Sequence, residues 1–197
     1  MKITTATTKE QFIQAAQLHR QYIASGFLSS LGDRALGVIY RFIATDSQSV
    51  LIIALQDEQV VGFVSGTIDV DKFYKRFMAK NILFGFNILP KIFSPKRMKR
   101  LIETLLYPSK NKEQNLPPAE LLSIVVDREF QGQGISQQLY QKLVEFFQAK
   151  EVSEFKIIVG AELLPAIHFY RKMGAEKLSE IEVHKGSKSW VMYHKLK

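Results

Sequence analysis

Val126-Asp127-Arg128-Glu129-Phe130-Gln131-Gly132-Gln133-Gly134-Ile135-Ser136 joins an apolar run to a helical one through a turn that holds two glycines. Upstream, Ala119 to Val126 (AELLSIVV) reads as a buried strand. Downstream, Ile135, Leu139, Leu143, Val144 and Phe147 recur at helical spacing and mark one apolar face. A glycine turn between strand and helix lets several backbone N–H groups point into one concavity at the helix N-terminus. Oriented amides and the helix dipole favour an anion there, and a doubly charged pyrophosphate suits the site. A G-x-G turn alone is a weak signal. A dinucleotide fold calls for a third glycine, an acidic partner for the ribose and a place in the first strand–helix–strand unit. Here the third small residue is Ser136 and the motif comes late in the chain. A nucleoside-triphosphate loop needs Gly-Lys followed by Ser or Thr, which is absent.

Working outward, Phe155 to Val159 is a second β-rich run, and Pro165 sits well in the first turn of a helix that ends at Gly174. Strands around Ile181 and from Trp190 to His194 finish the chain. Before the glycine turn, Lys2 to Thr5 suits a short strand, and Gln11 to Ala24 carries the apolar spacing of an amphipathic helix. Asp33 can cap a second helix that runs to about Ala44. Val50 to Leu55 and Val60 to Ile68, separated by Gln-Asp-Glu-Gln, read as a hairpin. Helices and a hairpin followed by alternating strands and helices imply an α/β fold with a mixed sheet.

Two motifs stand in order and at a fitting separation. The first is Gln131-Gly132-Gln133-Gly134-Ile135-Ser136; the second is Ala166-Ile167-His168-Phe169-Tyr170-Arg171-Lys172-Met173-Gly174. In both, the chain resembles the GNAT N-acetyltransferases, whose signature is Q/R-x-x-G-x-G/A after a strand and then A-I-x-F-Y-x-x-x-G. The likeness covers about residues 119 to 175. It implies a GNAT-like fold: a central, mostly antiparallel mixed sheet flanked by helices. It implies acetyl-CoA as cosubstrate and a primary amine as acceptor, joined by direct transfer in a ternary complex. The amides of Gln131, Gly132, Gln133, Gly134, Ile135 and Ser136 would hold the pyrophosphate. The strand at Ile124, Val125 and Val126 would pair with the pantetheine arm, splaying from the Phe155–Val159 strand to open a wedge. Tyr170 matches the residue that protonates the departing thiolate. Glu120, read as lying on one face with Leu122, Ile124 and Val126, is the candidate base, and an N–H near Val125 would meet the oxyanion. The chain departs from the family at Ser136, at Leu163 in place of an asparagine, and at Ala175 in place of a phenylalanine.

Composition sets the remaining bounds. The 197 residues suit one domain, with 46% hydrophobic and 23% charged residues, as expected of a chain with a real core. Zero cysteines remove disulfides, thiolate metal sites and a cysteine nucleophile, and with no apolar leader the cytoplasm is the expected compartment. The four histidines are scattered without metal-ligand spacing, so no metal is expected, and no G-x-S-x-G or serine triad is present.

The charge of +8 is local. Between Asp71 and Lys112, eleven basic residues face only Asp71 and Glu103, which leaves the rest of the chain at about −1. Residues 71–118 therefore read as a basic, largely helical insertion or lid. It would attract an anionic acceptor, for instance an amino sugar or a nucleotide-linked amino sugar. Its mixed lysines and aromatics also suit peripheral contact with an anionic membrane. The alternative is a non-catalytic module of the same fold that binds an anionic partner. No recognisable nucleic-acid motif is present, and no nucleic acid is expected.

Overall fold

The computed structural model describes residues 1–23, 33–80, 116–184 and 187–196. Chain order is β1 (Lys2–Thr5), α1 (Lys9–Tyr22), α2 (Asp33–Thr45), β2 (Ser49–Gln56), β3 (Gln59–Thr67), α3 (Val70–Lys80) and β4 (Glu120–Val126). After a short 3-10 turn (Arg128–Phe130) come α4 (Ile135–Ala149), β5 (Glu154–Gly160), α5 (Leu164–Lys172), β6 (Glu176–His184) and β7 (Ser187–Lys195). The proposed Met98–Leu106 helix, the Asp33 side chain and the breaks at Pro90 and Pro95 lie outside the described residues.

The strands form one seven-stranded sheet in the order β1-β2-β3-β4-β5-β7-β6. All neighbours are antiparallel except β4 and β5, which run parallel. Period-2 alternation in β2 divides the core between the faces. Val50, Ile52 and Ala54 join the cluster under α4, with Leu139, Leu143 and Phe147. Leu51, Ile53 and Leu55 join the opposite cluster, under Phe12, Ala15 and Ala16 of α1 and Leu36, Tyr40 and Ile43 of α2. At Gly66 the sheet comes so close to α4 that an added Cβ would lie 2.7 Å from Leu143 and 3.0 Å from Phe147. Thr8 and Gln11 close a reciprocal capping box that starts α1.

α3, the first part of the basic insertion, is built into the core. Phe73 is buried, and Phe73 and Phe77 each place a ring 5.3 Å from that of Phe42 on α2. Arg76 grips the buried Asp46 with a two-pronged bond, Nε to Oδ1 at 2.9 Å and Nη2 to Oδ2 at 2.7 Å. The N–H of Val70 donates to the carbonyl of Pro118 at 2.9 Å, so the insertion leaves and rejoins the sheet at one place.

Candidate active site

β4 and β5 share only two register pairs, Glu120 with Lys156 and Leu121 with Ile157. Both strands continue, β4 to Val126 and β5 to Gly160, without pairing further. The two strands therefore diverge beyond Leu121, and the opening is a cleft of about 360 Å³. Its walls are Ile124, Val125, Val126, Phe130 and the glycine turn on one side, and Pro165, Ala166, Phe169 and Tyr170 on the other.

β4 carries a bulge. Its register with β3 skips from Ser65–Ser123 to Gly66–Leu121, leaving Leu122 unopposed. The extra residue shifts the alternation of side chains. Leu121 and Ile124 pack toward α4, while Leu122 and Val125 pack toward α1 and α2. Glu120, adjacent to Leu121, thus lies on the α1–α2 face with Leu122, and not on one face with Ile124 and Val126 as strict alternation predicts. The backbone phase changes too. Asp127 N–H donates to Val61 at 2.8 Å, on the β3 side, so the N–H of Val125 also points to β3. The amides that turn toward the cleft belong to Ile124 and Val126. These two amides flank Val125, in the stretch of β4 where the oxyanion donor is expected.

The turn that follows has the features an anion cradle needs. Gly132 and Gly134 adopt φ of 77° and 76°, where a Cβ is disfavoured, although neither lacks space for one. Gly134 is the N-cap of α4, with no side-chain cap and no acidic residue in the first turn. The leading N–H groups of α4, at Ile135 and Ser136, are left without intrahelical partners and without a neutralising carboxylate. Ser136 and Gly132 line the cleft, so these donors stand at its mouth. Residues present here fit the pyrophosphate of coenzyme A.

Tyr170 projects from α5 into the cleft wall. The side chain is buried, 6.4 Å from the Tyr140 ring, and burial pushes its hydroxyl well above the ordinary phenol range. It makes no hydrogen bond to another described residue and keeps its proton. Leu163, at the N-cap of α5, offers no side-chain cap, as its replacement of asparagine implies. His168 lies exposed on another face of α5.

Glu120 does not line this cleft; it stands at the closed apex, where β4 and β5 still pair. Its partner in register, Lys156, is fully buried (0% exposed), and its Nζ lies 3.4 Å from Glu120 Oε2 while donating to the carbonyl of Pro117. Burial raises the pKa of Glu120; Lys156 opposes that, and Asp71 of α3 adds to it. Sequence reasoning missed Lys156. Its signal was a lysine between Phe155 and Ile157 in an otherwise apolar strand. A second buried polar pair lies under α1 and α2, where His19 Nδ1 is 2.7 Å from the Tyr40 hydroxyl and burial lowers the His19 pKa to about 4.

Among the described residues, no group of three histidines or carboxylates is arranged to hold a metal, and no helix is long and apolar enough to cross a membrane. The model of the "Acetyltransferase (GNAT) family" matches residues 16–175. Among curated proteins, none matches the sequence. In fold, the chain is similar to an N-acetyltransferase from Staphylococcus aureus Mu50, with TM-score 0.66 and 16% identity over 100% of this chain and 98% of that one. It is also similar to the PaiA N-acetyltransferase from Thermoplasma acidophilum in complex with coenzyme A, with TM-score 0.63 and 14% identity over 99% of each chain. An aminoglycoside 6′-N-acetyltransferase complexed with coenzyme A aligns with TM-score 0.63 and 11% identity, over 100% of this chain and 98% of that one.

Proposed function

The chain belongs to the acetyltransferase (GNAT) family, and from that premise we propose that it moves the acetyl group of acetyl-CoA to a primary amine of a small molecule carrying an anionic group. An acyltransferase of this family uses acetyl-CoA as cosubstrate. The observation that carries the proposal is the early end of β4–β5 pairing, which leaves a cleft between an amide cradle and Tyr170.

When bound, acetyl-CoA supplies an acetyl group activated as a thioester. The pyrophosphate cradle is Gln131 to Ser136, and the amides of Ile124 and Val126 offer donors along the cleft. A protonated amine has no lone pair, so the acceptor must give up a proton, and Glu120 takes it at its carboxylate, directly or across one water. Tyr170 releases its hydroxyl proton to the departing sulfur from the opposite wall, and burial keeps that proton in place until the sulfur departs. Glu120 and the cleft lie on different faces of the sheet, so amine and thioester meet through the gap between the strands. Holding them there supplies much of the rate.

We read the chain as a single catalytic unit of residues 1–197, with 71–118 as its insertion, acting in the cytoplasm. The anionic acceptor is argued from the local excess of positive charge. On α3 itself, Lys72 and Arg76 are engaged with Asp69 and Asp46, while Lys75 is exposed and makes no ion pair with another described residue. Thiol release from acetyl-CoA tests the reading without protein background, because the chain has no cysteine. The panel runs from glucosamine 6-phosphate and nucleotide-linked amino sugars to polyamines, amino acids and peptide amines. Turnover with phosphorylated amino sugars above that of the neutral sugars is expected. Release with none of these amines would contradict the reading.

A further inference from the structure

We propose that Lys156 is a positioning residue for Glu120: its ammonium, anchored at the apex of the strand opening, holds the carboxylate ionised and ready to take the acceptor's proton. This rests on the reading of Glu120 as the proton acceptor.

A lysine with no exposed surface is rare, because an ammonium loses its hydration on burial and needs partners in return. Lys156 has two. Its Nζ donates to the main-chain carbonyl of Pro117, where the insertion rejoins the sheet, and sits 3.4 Å from Glu120 Oε2. Because the first partner is backbone, the ammonium is held whether or not Glu120 carries a charge. The second contact is within ion-pairing distance but leaves Glu120 Oε2 without a hydrogen bond. That oxygen keeps a lone pair for an incoming proton.

The other titratable groups facing Glu120 make this charge necessary. From α3 come Asp71, a like charge, and Tyr74, a buried phenol that burial and Glu120 itself keep protonated. From β3 the residue in register is Thr67, which does not titrate. Lys156 of β5 is the one cation recorded against Glu120 among the described residues. Burial and Asp71 both favour the neutral acid, so without Lys156 the carboxyl would stay protonated to higher pH, where it cannot act as a base.

The test is a carbon-13 NMR titration of the glutamate carboxyls in the full chain, with Glu120 assigned by its loss in Glu120→Gln. Wild type is compared with Lys156→Gln, which keeps a donor for Pro117 but removes the charge, and with Lys156→Arg, which keeps the charge. Lys156→Gln should raise the Glu120 midpoint by at least about one pH unit, and Lys156→Arg should leave it within about half a unit. The acid limb of kcat/KM, measured with whichever panel amine turns over, should move with it, a roughly tenfold loss on the slope with the alkaline plateau kept within a few-fold. An unmoved midpoint in Lys156→Gln would overturn the inference. If Lys156→Gln no longer binds coenzyme A and so has lost its fold, Lys156→Arg decides, and a midpoint displaced by a unit or more would count against it. The underlying reading fails separately, if Glu120→Gln keeps the acid limb of wild type.

Discussion

The side-chain amide of Gln131 donates to the main-chain carbonyl of Val126 over 3.0 Å, tying the first residue of the glycine turn to the last residue of β4. The contact spans five residues and closes the loop that brings the N-terminus of α4 to the mouth of the cleft. Gln131→Leu removes the tie at an exposed position, so the fold should survive. The amides it orients should lose their alignment, and coenzyme A affinity should fall by about five- to tenfold by calorimetry, the worth of one hydrogen bond. Unchanged affinity would mean that the turn holds its shape without the tie.

Gly134 is needed for its backbone angle and not for space. A Cβ there would meet only Gln137 Oε1, at 3.8 Å, yet φ is 76°. Asparagine tolerates that region and valine does not. Gly134→Asn should therefore bind coenzyme A within a few-fold of wild type, while Gly134→Val should lose about tenfold or more through about 1–2 kcal/mol of strain at the cradle. Equal losses in the two variants would point to crowding instead.

Tyr170→Phe keeps the ring that packs on Tyr140 and removes the proton. Turnover should fall by about 10²-fold or more, with coenzyme A affinity preserved, as a general acid predicts. Undiminished turnover would remove Tyr170 from the chemistry.

Stability should depend on acid through His19. Above pH 6.5 its ring is neutral in both folded and unfolded chains. Between 6.5 and about 4 the unfolded chain takes up a proton that the buried ring refuses, so stability falls as pH falls through that window, by at most about 3 kcal/mol. His19→Gln, which can still bond the Tyr40 hydroxyl, should flatten that part of the curve in urea denaturation across pH. Parallel curves for the two proteins would show that His19 does not set the slope.

The order of elements was legible because periodicity carried it. The β-rich run Val50–Leu55, the helical stripe from Ile135 to Phe147 and the Pro165–Gly174 bracket each predicted an element that the structure contains. The turn before α4 could be read from Gly132 and Gly134, and both adopt the positive φ that glycine allows. What could not be read was the bulge at Leu122. Nothing in Leu-Leu-Ser-Ile marks an extra residue, and one extra residue turns Glu120 to the other face and Val125 N–H away from the cleft. Lys156 escaped for a related reason: a lysine in a strand reads as solvent-facing until a buried partner is seen beside it.

Coenzyme A is proposed to lie between the cradle and the parted strands. Hydrogen–deuterium exchange with and without coenzyme A measures this at the amides themselves. Slowed exchange is expected in peptides covering Gly132 to Ser136 and Ile124 to Val126, and none at the start of α1, Lys9 to Ile13. Protection absent from both cleft segments while coenzyme A is bound would contradict it.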